Sequence, residues 1–139
     1  MAIFDFRLQR VLQYREMQEQ WAKDAYLAAK AARVHSEETL DGIRERRNYL
    51  LESTPTDLDS RRALEHTLIH FDDQDRAQQS IIAILATEET NALAAWQSQK
   101  RELDTIGNLR EHAHEAWKLD EDRKEQAALD EWAVTRRTA

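Results

Sequence analysis

Cysteine is absent from this chain of 139 residues, glycine occurs twice, and proline occurs once, at Pro55. Without cysteine there can be neither disulfides nor thiolate zinc sites. Two isolated glycines leave no Gly-rich phosphate loop and no nucleotide motif. A single proline leaves a single obligatory break. Proline inside a helix loses a hydrogen bond and clashes with the preceding turn, so the chain must break at Ser53-Thr54-Pro55-Thr56. Long apolar runs are also missing. The longest, Ile81 to Ala86, is six residues, far short of the roughly 20 that a membrane span needs. The first ten residues are interrupted by charge and hold no signal-peptide core. These absences predict a soluble, cytoplasmic chain that does not insert into a membrane.

What is present favours helix. Ala, Glu, Gln, Leu and Arg dominate, and all are good helix formers. Charged residues make up 34% of the chain, a share suited to long helices with much exposed surface. The net charge of −7 is unevenly placed. Residues 1–53 hold nine basic and nine acidic side chains, whereas residues 54–139 hold eleven basic and eighteen acidic. An acidic balance argues against nucleic acid as a partner, because phosphate binding rests on clustered Lys and Arg.

After the break, apolar residues recur at alternating steps of four and three. The series begins Leu64, Leu68, Phe71, Asp75, Gln78, Ile82, Leu85, Glu89 and Ala92. It continues through Trp96, Gln99, Leu103, Ile106, Arg110, Ala113 and Trp117. Such a sustained seam belongs to supercoiled helices. Before the break, Leu8, Arg15, Ala22, Ala29, Ser36, Ile43 and Leu50 recur every seven, with Leu12, Tyr26 and Leu40 one turn on. Val11, Ala25 and Ala32 lie beside them. The reading is all-α: a long antiparallel two-helix coiled-coil hairpin whose C-terminal helix is the longer, forming one domain over 1–139. Helix 1 is expected over about 5–53, the turn over about 54–56 and helix 2 over about 57–136. Thr56 or Asp57 is expected to cap helix 2.

Folding back at Pro55 sets each residue against the one whose number is roughly 110 minus its own, to within about one turn. Trp96 then lies near Tyr14 and Leu103 near Leu8, while Ile82 and Leu85 meet Ala28 and Ala25. Helix 1 runs out of partner near Gly107-Asn108, where glycine makes a kink reasonable. Beyond that point Leu109, Ala113, Trp117, Leu129, Trp132 and Ala133 are left as an exposed docking segment. Asp75, Gln78 and Glu89 dilute the seam, which predicts modest stability.

Candidate chemistry is sparse. His66 and His70 are four apart, but Thr67 stands where a metalloprotease has Glu, and no third ligand is evident. His112 and His114 point to different helix faces and read as solvated. The acidic runs Asp72-Asp73-Gln74-Asp75 and Asp120-Glu121-Asp122 could pass for catalytic carboxylates. Paired acids need a pocket that separates their pKa values, and a two-helix hairpin supplies none. We expect no enzyme, no metal and no cofactor. The basic residues Arg7, Arg10, Arg15, Arg123, Lys124, Arg136 and Arg137 gather at the end where the termini meet.

The opening segment Phe4-x-Phe6-Arg7-Leu8-x-x-Val11-Leu12-x-Tyr14-Arg15-Glu16, followed by Glu19 and Ala22, resembles the flagellar export protein FliJ family. So do Trp96-Gln97-x-x-Lys100-x-x-Leu103 and Leu129-Asp130-Glu131-Trp132-Ala133. The resemblance implies an antiparallel coiled-coil stalk of the bacterial flagellar type III export apparatus, serving motility. It implies three partners: the export ATPase ring, the cytoplasmic domain of the export gate, and export chaperones. It places the protein in the cytoplasm, peripherally at the flagellar basal body on the inner membrane. The ATPase-facing end would include Arg7, Arg10, Arg15, Arg123, Lys124, Leu129 and Trp132. The gate-docking face would include Thr67, Phe71, Gln74 and Gln78. Three alternatives stand beside it: a generic coiled-coil scaffold that dimerises, the equivalent stalk of a virulence type III secretion system, and a nucleic-acid-binding helical arm. The acidic balance makes the last the weakest.

Overall fold

The computed structural model describes residues 2–138, which form two helices and no strand. Helix α1 spans Gln9–Leu51 and α2 spans Leu58–Thr138. The chain divides into two compact units, Met1–Gln20 with Ser98–Ala139, and Trp21–Gln97. In each unit a stretch of α1 packs antiparallel to a stretch of α2. In the terminal unit Phe4 meets Trp117 and Arg15 meets Glu102. In the central unit Arg33 meets Glu89 and Arg47 meets Asp72.

The four-three pattern defines what is covered. From Leu8 to Leu50 each position of the α1 series is buried or half-buried. On α2 each seam position from Leu64 to Trp117 is half-buried except Arg110, which is exposed. Val11, Ala25 and Ala32, next to the α1 series, stay exposed. The interior is thin. Among the described residues the buried apolar side chains are Phe6, Leu12, Leu40 and Ile43, and α2 contributes none. Two helices can shield a seam from only one direction each, so most apolar residues keep part of their surface in water.

The sequence-derived register is wrong by about two and a half turns. It set Trp96 near Tyr14, but Trp96 stacks on Tyr26 with ring centroids 5.6 Å apart. It set Leu103 near Leu8, but Leu103 shares a cleft with Leu12 and Glu16. The cause is the connection. Glu52 and Ser53 close the end of α1 by donating their N–H groups to the carbonyls of Tyr49 and Leu50. The chain then runs without helix until Asp57, whose Oδ1 accepts the Ser60 N–H at 2.7 Å and caps α2. That bond holds the Asp57 carboxyl below its usual pKa. With Phe71 beside Leu50, the first turns of α2 rise past the end of α1 by about ten residues, roughly 15 Å. Pro55, Leu64 and Leu68 are each half-buried there. Pro55 therefore breaks the helix but does not mark the fold-back point of the pair.

Two further expectations change. Helix α1 begins at Gln9, not near Asp5. The preceding residues form a short strap that buries Phe6. Helix α2 runs unbroken through Gly107.

Three polar seam residues of α2, Asp75, Gln78 and Glu89, have partners on α1. Arg33 forms an ion pair with Glu89 and bonds to Glu37 at 2.9 Å. Gln78 donates to the Ser36 carbonyl at 3.0 Å and to its hydroxyl, and Ser36 is buried. Arg44 bonds to Asp75 at 2.8 Å. Asp75, Gln78 and Glu89 are thus matched across the seam by Arg44, Ser36 and Arg33.

Candidate partner-binding surfaces

The proposed ATPase-facing residues all lie in the terminal unit, but they differ in availability. Arg7 and Arg10 are exposed at the strap and the first turn of α1. Arg15 is half-buried and committed to Glu102. Arg123 is exposed. Lys124 bridges Asp120 at 3.3 Å and Glu121 at 3.6 Å on its own helix. The Asp120 bond, with both carboxylates near, raises the Lys124 pKa.

From residue 118 to 138 every side chain is exposed except the half-buried Glu121. Leu129 and Trp132 are 61% and 60% exposed. They sit three apart, on one face of α2. The Arg136 guanidinium lies over the Trp132 ring at 4.9 Å, a cation–π contact. The strap half-buries Ala113 and Trp117 of the expected docking segment, while Leu109 stays exposed. Leu109, Ala113 and Trp117 line a cleft with Phe4, Phe6 and Leu8. The Phe4 ring packs edge-on to His114 at 5.0 Å and tilted to Trp117 at 5.7 Å. Arg110 lies over the same Phe4 ring at 5.6 Å. Trp117 is therefore an anchor for the strap rather than an open docking residue. His114, read as solvated, is exposed yet holds an aromatic partner. The Phe4-x-Phe6 pair directly before the helix was the available sequence signal for this strap.

The proposed gate-docking residues lie in the central unit. Phe71 is half-buried in an apolar cleft with Tyr49 and Leu50. Tyr49 is 75% exposed at its mouth. Thr67 is exposed, and its Oγ1 donates to the Ala63 carbonyl within the helix. Gln74 is half-buried. Gln78 is taken up by Ser36.

Ionisable groups in the central unit are tuned by pairing. The Arg44 hydrogen bond holds the Asp75 carboxyl below its usual pKa. The Arg33 hydrogen bond does the same for Glu89. Both arginines move upward in return. In each pair opposite charges are held against each other. Within the acidic run, Asp72 and Asp75 brace α2 to Arg47 and Arg44 of α1. Among the described residues no three His, Asp or Glu side chains group within reach of one metal ion. No described helix is long and apolar enough to cross a membrane.

The family model described as Flagellar FliJ protein covers residues 4–137. No curated protein and no solved structure matches the chain.

Proposed function

Because the chain belongs to the flagellar FliJ family, we propose that it is a non-catalytic stalk and adaptor of the flagellar type III export apparatus. In this reading it acts in the cytoplasm at the basal body, on the inner-membrane side. The terminal unit engages the export ATPase ring. Arg7, Arg10 and Arg123 supply positive charge, and Leu129 and Trp132 supply apolar anchors. Arg15 and Lys124 contribute after exchanging their internal carboxylate partners for those of the ring. The central unit engages the export gate through Phe71, Thr67 and Gln74, with Gln78 holding the register beneath them. Export chaperones are the third class of partner.

The observation that carries this reading is the exposed run 118–138, which keeps a tryptophan and a leucine on one helix face. A helix that gains little from its own chain retains such residues at low cost only where another surface covers them. The test is direct. Adding the purified chain to the flagellar export ATPase is expected to raise ring assembly and ATP turnover. A correctly folded chain that changes neither would overturn the proposal.

A further inference from the structure

The central unit carries a second seam, on a side of the helix pair that neither helix covers. On α1 the positions just before each seam residue include Trp21, Ala25, Ala28, Ala32 and Gly42. No charged side chain occurs at this position from Trp21 to Gly42. On α2 the matching positions include Ala77, Ile81, Ile84, Glu88 and Ala95. Trp21 is 57% exposed, Ile81 46% and Ile84 61%.

In an antiparallel pair these two stripes fall on the same side. The clefts demonstrate it. Arg44 and Asn48, at or just beyond the positions after the seam, share a cleft with Asp72 and Arg76. Arg46 and Tyr49, at the positions before it, share the opposite cleft with Phe71. These two stripes, uncharged but for Glu88, therefore flank one long groove between α1 and α2. Its α1 wall runs through Ala25, Ala28, Ala32, His35, Thr39 and Gly42, of which the alanines and the glycine let another backbone come close. Its α2 wall is made of Ile81 and Ile84, which give apolar ridges. The four-three spacing matches a third helix. From Trp21 to Gly42 the wall accommodates about 30 Å of helix.

The charge around the groove selects the occupant. Glu38 lies along the α1 rim, and Asp73 and Glu88 lie along α2. Residues 21–97 hold nine basic and fourteen acidic side chains. Two such faces would repel each other, which disfavours a second copy. We infer that this groove takes an amphipathic helix of a partner protein, apolar along one stripe and flanked by Lys and Arg. The inference goes beyond the export reading and stands without it, since none of the proposed gate residues is among the wall residues named.

The probe is a synthetic helix of about 20 residues, with Leu and Ile at heptad seam positions and Lys elsewhere. A counterpart carries Glu in place of Lys. Binding to the full chain is followed by tryptophan fluorescence, with Trp21→Phe identifying the reporter. The Lys helix is expected to bind, with affinity falling as salt rises, and the Glu helix to bind at least tenfold more weakly. Ala28→Glu and Ile84→Glu should each cut affinity at least tenfold, while Thr90→Glu, on the other side, should not. Ile84→Glu adds negative charge, so diffuse attraction of a cationic peptide would strengthen binding to it. Circular dichroism verifies that each variant keeps its helicity. Equal binding of both peptides, undiminished binding to Ile84→Glu, or a groove-dependent dimer in sedimentation would overturn the inference.

Discussion

Tyr26 and Trp96 stack face to face across the helix pair, their ring planes 21° apart. Aromatic pairs of this kind add about 0.5–1.5 kcal/mol beyond their area burial. The contact also fixes the axial alignment of the central unit, since it places one named side chain of α1 beside one of α2. Tyr26→Leu is expected to lower stability in urea denaturation by about that amount. Tyr14→Leu, at the exposed position that the Pro55 fold-back rule pairs with Trp96, should change it by less than about 0.5 kcal/mol. The reverse order of the two effects would mean that the helices slide to the other alignment in solution.

The polar seam pairs explain why they do not slide. Moving α2 by one heptad would bring Ile82 or Trp96 to Arg33 in place of Glu89. A guanidinium facing an apolar side chain has lost its partner across the seam and much of its water. Polar seam residues give up stability and fix register in return. The acid dependence follows from the same pairs. Asp75 and Glu89 have depressed pKa values in the fold, through Arg44 and Arg33. Their contribution is complete above the unfolded values, about 3.9 and 4.3. It is lost as pH falls through the folded values. The melting temperature is expected to hold between about pH 6 and 5 and to fall below about pH 4. In Asp75→Asn with Glu89→Gln the fall should be shallower. An unchanged acid limb would show that other carboxylates carry it.

Fold class, helix order and the covered face were legible because they depend on periodicity. Every side chain named by the steps of four and three from Leu8 to Leu50 and from Leu64 to Trp117 is buried or half-buried, Arg110 excepted. Alignment was not legible, because it depends on the path of a six-residue connection whose conformation no heptad encodes. Pro55 says where a helix must stop. It does not say how far the chain climbs before the next helix turns back. The error propagated to Trp117, which looked unpartnered only because the strap residues Phe4 and Phe6 were not yet placed against it. At the candidate site, charge at the terminal end was legible residue by residue. Which of those charges are already paired was not, since Arg15–Glu102 joins residues far apart in sequence.

Gly107 offers a clean test of the unbroken helix. A Cβ added there would meet nothing within 4 Å, and the backbone has no positive φ. Glycine inside a helix costs roughly 0.5–1 kcal/mol relative to alanine. Gly107→Ala is therefore expected to raise stability by about that amount in urea denaturation. Destabilisation would mean that the chain needs a bend at this point.

Trp132 and Phe4 separate binding from folding. Trp132 is 60% exposed, and its ring meets Arg136 of its own helix. Trp132→Ala should change stability by less than about 0.5 kcal/mol, yet abolish most of the stimulation of the export ATPase. Phe4 behaves in the opposite way. Its ring holds the strap against His114 and Trp117, so Phe4→Ala should expose Trp117 and shift its fluorescence to the red. Because the strap lies outside the helices, the loss should appear as local opening in hydrogen exchange around 2–12 and 109–117, with the central unit unaffected. The two variants divide the outcomes. If stimulation fails only in Trp132→Ala, the exposed run of α2 meets the ATPase directly. If it fails only in Phe4→Ala, the strap and the surface it organises form the contact, and the exposed tryptophan does not.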